Sequence, residues 1–197
     1  RSFIDWATPR LTDERVRAIF TRMTARSGID HRWSVLPPTK TGGSPVEPGG
    51  FYDVPGLPPT SLRMAAYAQH APELAMQAIG GLGDALDPAR ITHIVVASCT
   101  GFVAPGIDQI LAKRLGLAPT VERVLIGFMG CYAGVSALRT ARHIVRSEPD
   151  AVVLVVSVEL STLHLSLADE PEPLLAMLQF SDGAAAGIVS TAPQGLE

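Results

Sequence analysis

Chemistry in this chain is best sought at the junction Gly127-Phe128-Met129-Gly130-Cys131-Tyr132-Ala133-Gly134. An apolar strand pattern ends there, glycine allows a sharp turn, and a cysteine stands where a long helix begins. Unpaired N–H groups at a helix amino terminus carry positive partial charge, which favours thiolate, the nucleophilic form of cysteine. Gly130 lets the turn bend, and Ala133 and Gly134 keep the neighbourhood small. On these grounds Cys131 is a candidate nucleophile, and close packing of small residues accounts for the same pattern equally well. The second cysteine, Cys99, follows another apolar strand pattern. With two cysteines the chain has no disulfide framework, and neither CxxC nor Cys/His zinc spacing occurs, so no metal is expected.

Several elements must position these groups. Val16, Ile19, Phe20 and Met23 recur at helical spacing, which predicts a helix over 12–27 with Gly28 as its stop signal. Residues 36–59 are rich in proline and glycine and predict a long irregular loop. A second helix is expected over 61–82, kinked or divided at Pro72. Short buried strands are expected over 92–98, 123–128 and 151–157, with helices over 106–116 and 131–146 between them. A short helix near 173–180 and a strand over 184–190 follow. Buried strands alternating with helices indicate an α/β fold with a mostly parallel sheet flanked by helices.

Composition narrows the class. The chain has 197 residues, 47% of them hydrophobic and 18% charged, with a formal net charge of −3. These values argue against disorder and give no basic footprint for nucleic acid. No apolar run approaches the roughly 20 residues of a membrane span. No charged region followed by an apolar stretch opens the chain, so no secretory signal is expected and a cytoplasmic location is.

Five segments together resemble the type III polyketide synthases, the chalcone synthase-like branch of the thiolase superfamily. They are Ile91-Thr92-His93, Cys99-Thr100-Gly101-Phe102-Val103-Ala104-Pro105-Gly106, Gly130-Cys131-Tyr132-Ala133-Gly134, Val155-Val156-Ser157-Val158-Glu159 and Ser181-Asp182-Gly183-Ala184-Ala185-Ala186. Gly127-Phe128-Met129 and the segment from Glu159 to Leu165 look closer to the bacterial alkylresorcinol and alkylpyrone synthases than to the plant chalcone type. The resemblance implies a thiolase-like fold and a homodimer. It implies a nucleophilic Cys131 that takes a starter, fatty in the bacterial branch, from an acyl-CoA. Malonyl-CoA then extends the chain by decarboxylative condensation, with both CoA esters as substrates and no cofactor. It makes Phe180 a gatekeeper between CoA tunnel and cavity. Cys99, Thr100, Glu159, Ser161 and His164 match cavity-lining positions. Arg22 and Arg26 match basic positions at the tunnel mouth, suited to CoA phosphates. At Ala104 the chalcone synthases carry a methionine that reaches into the partner subunit, so that contact is not expected here.

The family also uses a histidine and an asparagine from its C-terminal half to stabilise the enolate. This chain contains no asparagine, and its histidines (His31, His70, His93, His143 and His164) match no such motif. His93 and His143 are expected to be structural or surface residues. Ile4-Asp5-Trp6-Ala7-Thr8-Pro9 resembles the end of the family's first strand. Residues 1–197 are therefore expected to be the N-terminal half of a chalcone/stilbene synthase-like domain, inactive alone. A ketoacyl-ACP synthase III-like enzyme and an inert remnant are the alternatives.

Overall fold

The computed structural model describes residues 2–166, 168 and 170–192. The chain divides into two compact units, one formed by residues 1–66 and 160–182, the other by 67–159 and 183–197.

In the first unit, α1 (Ser2–Ala7) buries Phe3, Trp6 and Ala7, a spacing that lines one helical face. The strand end expected over 4–9 is thus a helix followed by a 3-10 turn, Thr8–Arg10. The Thr8 hydroxyl donates to the Ile4 carbonyl at 2.8 Å, and the Arg10 guanidinium lies over the Trp6 ring. The second helix, α2 (Glu14–Arg26), starts at Asp13, whose carboxylate accepts the N–H groups of Arg15 and Val16. It ends before Gly28, which adopts φ +67°, the left-handed stop glycine tolerates. Residues 28–59 contain neither helix nor strand, which includes the irregular loop expected over 36–59. α3 (Thr60–Gly80) begins in this unit and continues into the second. Pro72 does not divide it, because the face carrying Tyr67, Ala71, Ala75 and Ile79 is buried on both sides of the proline. α6 (Pro171–Gln179) packs on α2 and α1, and its Leu174 and Leu178 are buried.

The second unit holds most of a four-stranded sheet. Its strands are β1 (His93–Ala97), β2 (Glu122–Ile126), β3 (Val153–Leu160) and β4 (Asp182–Val189), in the order β2-β1-β3-β4. β1 pairs in parallel with both β2 and β3, His93 standing opposite Glu122 and Val153. α4 (Ile107–Arg114) connects β1 to β2, and α5 (Ala133–Ser147) leads from β2 towards β3. Ala133, Ala137, Ala141 and Val145, four residues apart, pack on Val95, Ala97, Val153 and Val155. Alanine brings the helix close to the sheet, and β-branched residues fill the strand side.

β2 departs from the expected buried strand. It lies at the sheet edge, with Val124 36% and Leu125 44% exposed. Among the described residues no helix is long and apolar enough to cross a membrane.

Candidate active site

Three segments converge at the carboxyl ends of the parallel strands, where open α/β sheets bind ligands. After β1 come Ser98, Cys99 and Thr100; after β2 comes the turn through Gly130; near the end of β3 stands Glu159. The two carboxylate oxygens of Glu159 accept the Cys99 N–H at 2.9 and 3.0 Å, and the Thr100 hydroxyl donates to Oε2 at 2.7 Å. The Cys99 thiol in turn reaches the Gly130 carbonyl at 3.6 Å, linking the two cysteine-bearing segments.

Cys131 is exposed, in a 3-10 turn (Gly130–Tyr132) that runs directly into α5. The regular helix therefore begins two residues after the cysteine. Gly130 has φ +62°, and a Cβ there would meet nothing within 4 Å, so backbone conformation rather than space calls for glycine. Phe128 is also left-handed, at φ +59°, although 86% exposed. A bulky residue in that region costs about 1–2 kcal/mol, and strain of this kind clusters at functional turns.

Beside this turn lies a cavity of about 340 Å³ within the second unit, with walls that include Tyr67, Ser98, Gly101, Phe102, Leu125 and Phe128. Its volume falls within the range of small-molecule pockets. Ser98 and Gly101 line it, while Cys99 and Thr100 between them bond to Glu159. The Tyr67 hydroxyl is hydrogen-bonded to the Ser98 hydroxyl. Burial pushes the Tyr67 phenol up to about 12; the Ser98 bond opposes this, and the nearby Glu159 and Cys99 add to it. A Cβ on Gly101 would collide with the Tyr67 ring at 2.2 Å, so this glycine is required for space.

The other expected site residues belong to the first unit. Arg22 and Arg26 are exposed, one turn apart on α2. Phe180 caps the carboxyl end of α6 and is 47% exposed, and its carbonyl accepts from Arg32 at 3.2 Å. Ser161 and His164 bound a 3-10 turn, Ser161–His164, the former half-buried and the latter exposed. Cys131, Cys99, Thr100 and Glu159 are thus gathered in one unit, and Arg22, Arg26, Phe180, Ser161 and His164 lie in the other.

Several residues that hold the Ser161–His164 turn escaped the sequence reading. Asp182, 8% exposed, accepts the Val35 N–H at 2.8 Å, the Thr162 N–H at 2.8 Å and the Thr162 hydroxyl at 2.7 Å. The Tyr52 hydroxyl donates to the Thr162 carbonyl at 2.6 Å, and Arg63 donates to the carbonyls of Leu163 and Leu165. Burial pushes the Tyr52 phenol up to about 12, against the opposing Arg63 charge. Burial also lowers the Arg32 guanidinium from its usual value, with Asp182 acting the other way. The one available signal was Asp182 itself, a carboxylate between small residues at the start of an apolar strand.

Residues 11–193 match the family model described as chalcone and stilbene synthases, N-terminal domain. Over 131 residues the chain is 39% identical to an alpha-pyrone synthesis polyketide synthase-like protein, Pks18, of Mycobacterium tuberculosis, covering 64% of this chain and 33% of that protein. The C-terminal type III polyketide synthase domain of Steely1 from Dictyostelium superposes with a TM-score of 0.82 at 30% identity, over 98% of this chain and 52% of that one. The 1,3,6,8-tetrahydroxynaphthalene synthase of Streptomyces coelicolor A3(2) gives 0.79 at 28% identity, over 96% and 52%. The chain spans about half the length of these solved structures and a third of the mycobacterial relative. With a thiolase-like α/β fold and a cysteine on the turn after β2, the chain belongs to the chalcone and stilbene synthases, the type III polyketide synthase family, and corresponds to their N-terminal domain.

Proposed function

We propose that Cys131 is the acyl-carrying nucleophile of a type III polyketide synthase. The observation that carries this reading is the exposed cysteine on a glycine-turned elbow leading into α5, within a chain that matches the family from residue 11 to 193. In the proposed loading step the Cys131 thiolate attacks the thioester carbonyl of an acyl-CoA. The Cys131–acyl bond forms, the acyl–CoA bond breaks, and CoA thiolate leaves to take a proton. In the extension step malonyl-CoA loses carbon dioxide, its enolate attacks the Cys131 thioester, and the cysteine is released as thiolate. Stabilising that enolate needs oriented donors. By family resemblance these are a histidine and an asparagine outside this chain, so extension is proposed for the protein that includes them and not for these residues alone.

A fatty starter fits the likeness to the mycobacterial pyrone-synthesis relative and the largely apolar cavity beside the elbow. Arg22 and Arg26 are proposed to meet CoA phosphates, Phe180 to act as the family's gatekeeper, and Cys99, Thr100, Glu159, Ser161 and His164 to serve at positions that match the family's cavity-lining residues. We place the complete enzyme in the cytoplasm as a homodimer. Phe128, Met129, Tyr132, Val135 and Leu138 expose apolar surface around the elbow and along α5, and a complete enzyme would cover such a face.

Incubation with a long-chain acyl-CoA, followed by intact-mass and peptide analysis, tests the loading step. An acyl adduct on Cys131 that is absent in Cys131→Ser is expected, with no pyrone or resorcinol released. Failure to acylate Cys131, or acylation of Cys99 in its place, overturns the assignment. Strict dependence on an acyl carrier protein would favour the ketoacyl-ACP synthase alternative.

A further inference from the structure

The amino-terminal edge of the sheet, opposite the strand ends that carry the cysteines, holds a separate group of side chains. His93 opens β1 and is 5% exposed. Glu122, its register partner, opens β2, and Glu148 is the C-cap of α5. Nε2 of His93 lies 3.7 Å from Oε2 of Glu122 and 3.8 Å from Oε2 of Glu148. The three ligand atoms all lie within 4.8 Å of one another.

The far side of the ring explains how Nε2 is presented. Nδ1 lies 2.8 Å from the Thr92 hydroxyl, which accepts the Val152 N–H at 2.9 Å and donates to the Val152 carbonyl at 3.2 Å. In the tautomer whose Nδ1–H donates to this hydroxyl, the lone pair of the imidazole falls on Nε2. Nε2 then faces two carboxylate oxygens, an arrangement that a cation between them resolves. A hydrogen bond that fixes the remote ring nitrogen is the usual support of a metal-binding histidine.

Geometry and charge agree. A cation bonded at about 2.1 Å to two atoms 3.7 Å apart subtends about 120°. The exposed glutamates can close this towards a tetrahedral angle by small rotations. Two carboxylates and a neutral imidazole balance a double positive charge. The carboxyl end of α5 adds negative partial charge at the same place. Arg123, next to Glu122, is committed to Asp108 at 2.9 Å.

We propose that His93, Glu122 and Glu148 form a site for a divalent first-row cation, zinc fitting best, with water completing the shell. The ion would tie together the starts of β1 and β2 and the carboxyl end of α5, a structural role remote from Cys131. This departs from the expectation of no metal, which weighed only cysteine and histidine spacing.

The test uses the full chain with both cysteines blocked by iodoacetamide and trace metal removed by a chelator. Zinc chloride is titrated calorimetrically, and thermal unfolding is followed with and without it. A single equivalent should bind and raise the unfolding temperature. Replacing both exposed carboxylates, Glu122→Gln with Glu148→Gln, should weaken binding at least about tenfold and abolish the shift. Cobalt in place of zinc should give visible absorption bands. Absence of binding at about 100 μM zinc, or unaltered binding by the double variant, overturns the site.

Discussion

Asp182→Ala is the most searching test of how the first unit is held together. The carboxylate is 8% exposed and accepts three hydrogen bonds of 2.7–2.8 Å, from the Val35 N–H and from the N–H and hydroxyl of Thr162. Its own N–H donates to the Trp33 carbonyl at 2.9 Å, a bond alanine would retain. Hydrogen bonds to a charged group are worth about 1.5–3 kcal/mol each. Their simple sum overstates the loss, because bonds sharing one acceptor group are coupled. Removal leaves two backbone N–H groups without that acceptor, and the expected cost is about 3–5 kcal/mol. Asparagine can still accept from Thr162 N–H, but its amide nitrogen then meets the Val35 N–H, donor against donor, at a cost of about 2–3 kcal/mol. Against a typical domain stability of about 5–15 kcal/mol, alanine should bring the unit near unfolding. Both tryptophans, Trp6 and Trp33, belong to this unit, so urea unfolding followed by tryptophan fluorescence reports on it directly. A loss below about 1 kcal/mol for Asp182→Ala would refute the reasoning, since that is the range of an ordinary exposed substitution.

Two further outcomes are expected. The phenols of Tyr67 and Tyr52 are each raised to about 12, so the folded chain holds these protons more tightly than the unfolded chain. Their stabilising contribution is complete below pH 10 and disappears as pH rises through about 12. Unfolding midpoints should fall across this window and fall less in Tyr67→Phe and Tyr52→Phe; an equally steep fall in both variants would contradict the assignment. Iodoacetamide should modify exposed Cys131 before half-buried Cys99, whose thiol is bonded to the Gly130 carbonyl, as peptide mapping over time would show. Equal rates at the two cysteines would count against the site geometry.

Elements whose burial follows from their own pattern were legible in the sequence. The β-branched runs of β1 and β3 and the four-residue alanine spacing of α5 specify a strand–helix core whatever their neighbours. β2 was recognised as a strand and mistaken for a buried one. Val124, Leu125 and Ile126 have the same residue types at an edge as in the interior, and sheet order alone decides which they occupy. At the amino terminus, likeness to a family strand misled, whereas the spacing of Phe3, Trp6 and Ala7 fits the helix observed. The place of Cys131 on a turn between strand and helix was legible because glycine at a strand-to-helix junction has a local meaning. The bonds of Glu159 to Cys99 and Thr100, the anchoring by Asp182, and the meeting of His93 with Glu122 and Glu148 were not. Each joins residues far apart in sequence, and parallel register or loop closure brings them together.

The course of the chain between its two units bears on how the molecule can be cut or recombined. It changes unit three times, between residues 66 and 67, 159 and 160, and 182 and 183. Tyr67, Glu159 and Asp182 stand directly at these crossings and carry the hydrogen bonds described above. Neither unit is a continuous stretch, so no single truncation isolates either one, and a single nick leaves both built from more than one piece. A chimera that exchanges residues 67–159 with a relative would transplant β1, β2 and most of β3, including both cysteines, while leaving β4 with the recipient. Such an exchange must therefore preserve the β3–β4 pairing at its seam, which makes the outer strand the constraint on recombination in this domain.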